Sequence, residues 1–133
     1  MTSTVTYLGD LRTECTHNAS KNRMITDAPL DNQGKGEAFS PTDQVATALA
    51  SCMLTIMGIK ARDLGIDLKG TRAEVTKTMG NAPRRIIKIA IALHFSNIED
   101  HKTQKILQKA AETCPVHYSL HPDIEKEVTY HWG

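Results

Sequence analysis

Between Asp43 and Lys60 the chain carries no ionisable side chain except Cys52, and apolar or small residues occupy every helical face. The stretch opens on Ser40-Pro41-Thr42-Asp43. A serine N-cap is followed by a proline at the first helical position, where its missing N–H is harmless, and by an acid at N3. Gly65 can close the far end, so one helix is predicted over 41–64. A helix that is apolar all round belongs inside a protein. Gln44, Thr47, Ser51 and Thr55 interrupt the run, which falls short of the about 20 predominantly apolar residues of a membrane span, so this is read as a core helix. A chain of 133 residues holds one domain with a real core and is too short for two, and 1–133 is read as a single domain. One small sheet and one other helix cannot cover such a helix on every side. A homodimer that buries 41–64 between two sheets is therefore expected.

The flanks read as strands and one further helix. "TSTVTYLGDLRTECTH" gives two strands joined near Gly9-Asp10, with Val5 and Tyr7 alternating against threonines and Leu11, Thr13 and Cys15 opposite Arg12, Glu14 and Thr16. A third strand is predicted around Met24 to Thr26, then a loop of turn-forming residues up to Ser40. After the long helix, "IDLKGTRAEVTKTM" and "RRIIKIAIALHF" read as a β-meander, the second with Ile87, Ile89, Ile91, Leu93 and Phe95 on one face. "EDHKTQKILQKAAETC" is amphipathic, with Ile106, Leu107, Ala110, Ala111 and Cys114 inward, and Pro115 breaks it. A helical turn, "PVHYSLH", leads to a last strand in which Val128, Tyr130 and Trp132 alternate. The expected class is α+β, with antiparallel sheets packed on the long helix.

Charge excludes some functions. The formal net charge is +1 and neither sign is gathered into a block, which argues against a nucleic-acid or membrane surface. The N-terminus, "MTSTVTYLGDLRTE", alternates polar and apolar residues and does not look like a secretory signal. A cytoplasmic location is expected, and the three cysteines then read as reduced thiols. No metal, flavin or nucleotide motif appears, so no cofactor is expected.

Cys15, on a strand face with Leu11, reads as a small core residue. Cys52 has Ala48, Leu49, Thr55 and Ile56 as its helical neighbours, and taken alone it also reads as packing. Cys114 alters that balance. It lies on the inward face of the second helix and directly before Pro115, where it can cap the next turn. The N–H groups of a helix start favour thiolate, so local electrostatics point to Cys114 as the more acidic thiol. Two helices with inward thiols suggest a redox pair. A different class of reading takes Cys114, His117 and His121, at three- and four-residue spacings, as ligands of a zinc-type site. A third is a ligand-binding stress protein with inert thiols.

"GKGEAFSPTD", then "ALASCMLTIMGI" on a long helix, then "PRRI" on a strand and "CPVHYSLHP" together resemble the OsmC/Ohr family of osmotically inducible and organic hydroperoxide resistance proteins. The resemblance runs from "YLGDLRTE" to the last strand. It implies an OsmC-like fold, an intertwined homodimer with active sites at the subunit interface, and a thiol peroxidase that reduces organic hydroperoxides. By position, Cys52 is then the peroxidatic cysteine and Cys114 the resolving one, joined as a disulfide during turnover and reduced by an external dithiol of lipoyl type. The family supplies an arginine to the first cysteine. Arg12 in "LRTE" is the first candidate, with Arg84 and Arg85 behind it. The glutamate that holds this arginine in the best-known members falls on Thr42 here, a departure that places the chain in a more distant, OsmC-like branch. Glu37, in the loop before the helix, is the expected orienting partner. Met53, Leu54, Ile56 or Met57 are expected to rim an apolar pocket that favours bulky peroxides.

Overall fold

The computed structural model describes all of residues Met1–Gly133, which form two compact units, Met1–Val45 and Ala46–Gly133. In the first, β1 (Ser3–Gly9), β2 (Arg12–His17) and β3 (Arg23–Asp27) make an antiparallel sheet in that order. Asp10 and Leu11 both have positive φ, 53° and 63°, the left-handed pair that a two-residue hairpin turn requires to match strand twist. Leu11 thus belongs to the turn and not to the strand face predicted for it. Val5, Cys15 and Met24 stand in one cross-strand row, and Arg12 is paired with Asp27.

Alternation along β1 does not translate into burial within the chain. Val5 is 60% exposed and Tyr7 64%. The buried residues of this unit are Thr26, Asp27 and Ser40, all of them polar. The loop after β3 folds back on Ala28, whose carbonyl accepts from Gly36 N at 3.1 Å. Gly34 lies so close to the Ala28 backbone that a Cβ there would clash, at 1.8 Å from the Ala28 oxygen. Asp27 N then donates to Phe39 O at 3.0 Å, so the loop returns to the end of β3.

The long helix, α1, spans Pro41–Asp63. Its start is as the sequence predicts: Ser40 Oγ accepts from Asp43 N, and Asp43 Oδ2 accepts from Ser40 N, each at 3.0 Å. Gly65, at φ 70°, ends it, and Ile66 N reaches back to Ala61 O at 2.8 Å. By length and composition α1 could cross a membrane. Its stripe of Ala46, Leu49, Ala50, Met53, Met57 and Ala61 is instead part of the core cluster. Burial on every face does not occur within one chain. Ser51 and Thr55 are exposed and Ile59 is 55% exposed.

The second unit holds β4 (Arg72–Gly80), β5 (Arg85–His94) and β6 (Glu125–His131) in the order β4-β5-β6. The β4 start is later than predicted because Asp67 to Gly70 form a turn, with Thr71 N on Leu68 O at 2.9 Å. β4 and β5 are antiparallel, but β5 and β6 are parallel, which corrects the expectation of antiparallel sheets throughout. A parallel neighbour needs a long crossover, here built from α2 (His101–Ala111) and α3 (Pro115–Ser119).

Ile89, Ile91 and Leu93 are fully buried, as the alternation predicts, whereas Ile87 is 38% exposed. The register slips there, from Thr78↔Lys88 to Met79↔Ile86. The extra residue of this bulge reverses the alternation beyond it, and Ile86 packs on the core in place of Ile87. Leu107 and Ala111 bury one side of α2, and Phe95 stacks on Trp132 at 4.4 Å between ring centres.

Candidate functional site

In the second unit the crossover brings Cys114 to Cys52. Cys52 sits well inside α1 and is half-buried, with Met53 beside it in the core. Cys114 is fully buried. The two thiols are close enough for Cys52 to raise the pKa of Cys114. No disulfide is present and all three cysteines are free.

The position of Cys114 follows from local sequence. Asp100 caps α2 by accepting from Thr103 N at 3.2 Å, and the helix ends just before Cys114. Pro115 occupies the first position of α3, and Cys114 is its N-cap, the sulfur accepting from His117 N at 3.5 Å. The predicted cap is there, but its expected electrostatic result is not. Burial pushes the Cys114 thiol up, and the neighbouring Cys52 pushes the same way, outweighing the N–H groups of His117 and Val116. A five-residue helix offers little opposing field. Cys114 therefore holds its proton above the ordinary thiol range, and the cap does not make it acidic.

The first unit carries Arg12 and the carboxylate that faces it. Arg12 Nε lies 3.7 Å from Asp27 Oδ1, the cross-strand partner that the β2–β3 register places opposite it. Asp27 has no exposed surface and Arg12 keeps about a third of its side chain exposed. The other Asp27 oxygen, Oδ2, accepts from Glu37 N at 2.9 Å. The carboxylate facing Arg12 is that of Asp27 and not that of Glu37, which joins the cluster through its backbone N–H. One register position along, the hydroxyls of Thr13 and Thr26 are hydrogen-bonded.

Other predicted residues fall elsewhere. Cys15 is half-buried on β2, 4.0 Å from Thr13 Oγ1. Arg84 and Arg85 are exposed. Met53 and Met57 are buried in the core. Ile56 lines an apolar groove of about 540 Å³ with Ile59, Ile106 and Ala110, and Leu54 lines a separate hollow with Gly58 and Ile66; Cys52 lines neither. The metal reading is not met: Cys114, His117 and His121 form no ligand cluster. His121 Nδ1 instead accepts from Asp123 N at 3.0 Å.

Residues 34–129 match the family of OsmC-like proteins. A protein of Psychrobacter arcticus 273-4, named for osmotic stress induction and a detoxification response, is 62% identical over 98% of this chain and 96% of its own, with a TM-score of 0.95. The organic hydroperoxide resistance protein OsmC of Legionella pneumophila is 16% identical over 98% of this chain and 97% of its own, at a TM-score of 0.76. A Vibrio cholerae protein named for organic hydroperoxide resistance, with captopril bound in one of its active sites, is 19% identical over 98% and 91%, at 0.75. At such identities the last two establish the fold. No curated protein matches the sequence.

Proposed function

Since the chain belongs to the OsmC-like family, we propose that it is a thiol-dependent peroxidase that reduces organic hydroperoxides to alcohols. The observation that carries this reading is the approach of Cys114 to Cys52 within the second unit, one thiol half-buried and one fully buried, while the third cysteine belongs to the first unit. Solved structures of the same fold that are named for organic hydroperoxide resistance support it.

The Cys52 thiolate attacks the distal oxygen of the hydroperoxide. An S–O bond forms as the O–O bond breaks, the alkoxide leaves and takes a proton to become the alcohol, and Cys52 is oxidised to a sulfenic acid. Cys114, held beside it, gives up its proton and attacks the sulfenic sulfur. The S–S bond forms and the hydroxide, with that proton, leaves as water. An external dithiol, of lipoyl type in our proposal, restores both thiols by exchange and becomes a disulfide itself. Arg12 supplies the positive charge that favours the Cys52 thiolate, which its apolar helix neighbours oppose. Ala48 and Ile56, one turn either side of Cys52, are apolar and favour an organic peroxide over hydrogen peroxide.

The working unit in this proposal is a homodimer. The uncovered side of α1, with Ile59, and the exposed Val5, Tyr7, Leu8, Leu11 and Met24 of the first sheet are the surfaces a second copy would bury. The decisive experiment treats the reduced protein with one equivalent of cumene hydroperoxide and maps its peptides without reduction. A Cys52–Cys114 disulfide within one chain, with Cys15 free and the cycle renewed by added dithiol, is the expected result. Free thiols at both positions after treatment would refute the reading.

A further inference from the structure

We infer that Asp27 is the positioning residue for Arg12, the group that fixes where its guanidinium points. The inference rests on the role proposed above for Arg12 in favouring the Cys52 thiolate. A carboxylate without exposed surface, near the end of a small sheet whose other buried residues are a serine and a threonine, is costly to keep unless something compensates its charge. The compensation is partial. Oδ2 has the Glu37 N–H, while Oδ1 and Arg12 Nε are both buried and neither makes a hydrogen bond. They stand 3.7 Å apart as a charge pair.

The exposed part of the Arg12 side chain therefore lies on atoms other than Nε. A guanidinium is planar, so an anchor at Nε sets the direction of both terminal nitrogens. Three elements hold that anchor in place: the Arg12↔Asp27 register, the hydroxyl bond between Thr13 and Thr26 beside it, and the loop that returns Glu37 N–H to the far oxygen. The Glu37 side chain is not needed for any of them.

A purely structural Asp27 would serve the loop alone, and an asparagine, which keeps an oxygen for the Glu37 N–H, would then suffice. The test compares Arg12→Ala, Asp27→Asn, the double variant and Glu37→Gln. It reads the rate of Cys52 alkylation by iodoacetamide at neutral pH and the single-turnover rate with cumene hydroperoxide, with thermal unfolding as a check of folding. Arg12→Ala and Asp27→Asn should each slow Cys52 by roughly 10- to 100-fold, and the double variant should be no slower than the worse single one, because both act through one group. Glu37→Gln should lose less than Asp27→Asn.

Losses that multiply, an Asp27→Asn protein within twofold of the parent, or a larger loss in Glu37→Gln would each overturn the assignment. Should Asp27→Asn fail to fold, Arg12→Lys decides: it keeps the charge without the planar fork, so a loss close to that of Arg12→Ala supports anchoring and full reactivity refutes it. The two readings fail separately. Alkylation that depends on Arg12 and Asp27 in a protein unable to reduce the hydroperoxide would leave Asp27 in place and remove the peroxidase.

Discussion

The two three-stranded sheets invite comparison because they bury opposite kinds of residue. Ile89, Ile91 and Leu93 in the second sheet, with α1 and α2 beside them, belong to a cluster that contains every buried apolar residue of the chain. The first unit buries Thr26, Asp27 and Ser40 and leaves Val5, Tyr7 and Met24 exposed. Three strands carry enough alternation to look amphipathic, yet alternation only states that a face wants cover. In the second unit the cover is part of the same chain. In the first, the apolar face is left exposed, and the interior is given over to an arginine's counter-charge.

The largest effect should separate the thiols. Cys52→Ser should abolish hydroperoxide turnover, and Cys114→Ser should permit one reaction and then stall at a sulfenic acid open to overoxidation, both read by mass spectrometry. Cys15→Ser should turn over as the parent does; a loss there would mean that the first sheet contributes a redox thiol and that the contrast is drawn in the wrong place.

Next in size is stability. Leu107→Ala in the second unit should cost about 2–5 kcal/mol in urea unfolding. Tyr7→Ser should instead act through assembly, shifting the protein toward monomer by light scattering at micromolar concentration. A parent protein that is already monomeric would remove the argument that the bare face of the first sheet awaits a second copy.

The smallest effect is a pH slope. The folded state holds the Cys114 proton to higher pH than the unfolded chain does, because burial and Cys52 raise it. Tyr130, pushed up to about 12 by burial and the charge of Glu112, acts in the same sense. As pH rises past the ordinary thiol range the unfolded chain ionises first, so the stability of the reduced protein should fall. Cys114→Ser should flatten the thiol part of that fall in urea titrations; an unchanged slope would assign it to tyrosine alone.

Much of the helical structure was legible because its signals are local. The Ser40–Asp43 box, Gly65, the α2 stripe and the Cys114-Pro115 cap are each written within a few residues. What escaped depends on pairing at a distance. Whether β6 would join β5 parallel or antiparallel is a matter of where the crossover leads, and the Ile87 bulge appears only when two strands are set side by side. Asp27 escaped for the same reason. It reads as an ordinary acid before Ala28-Pro29 until the β2–β3 register places Arg12 opposite it. The acidity of Cys114 was misjudged because the cap is local and the burial is not.

The meeting of Cys52 and Cys114 also has a kinetic side. Along the chain Cys15 is nearer to Cys52 than Cys114 is, yet closing either loop in a disordered chain differs by only about 0.5 kcal/mol. An oxidant that meets the unfolded polypeptide has almost no basis for choosing between them. Selectivity comes with the docked crossover, once α2 and α3 have carried the second sulfur to the first. Refolding in the presence of hydroperoxide should therefore yield scrambled bridges and refolding under reduction followed by oxidation should not, so the proposed pairing would record the order in which shape and chemistry arrived.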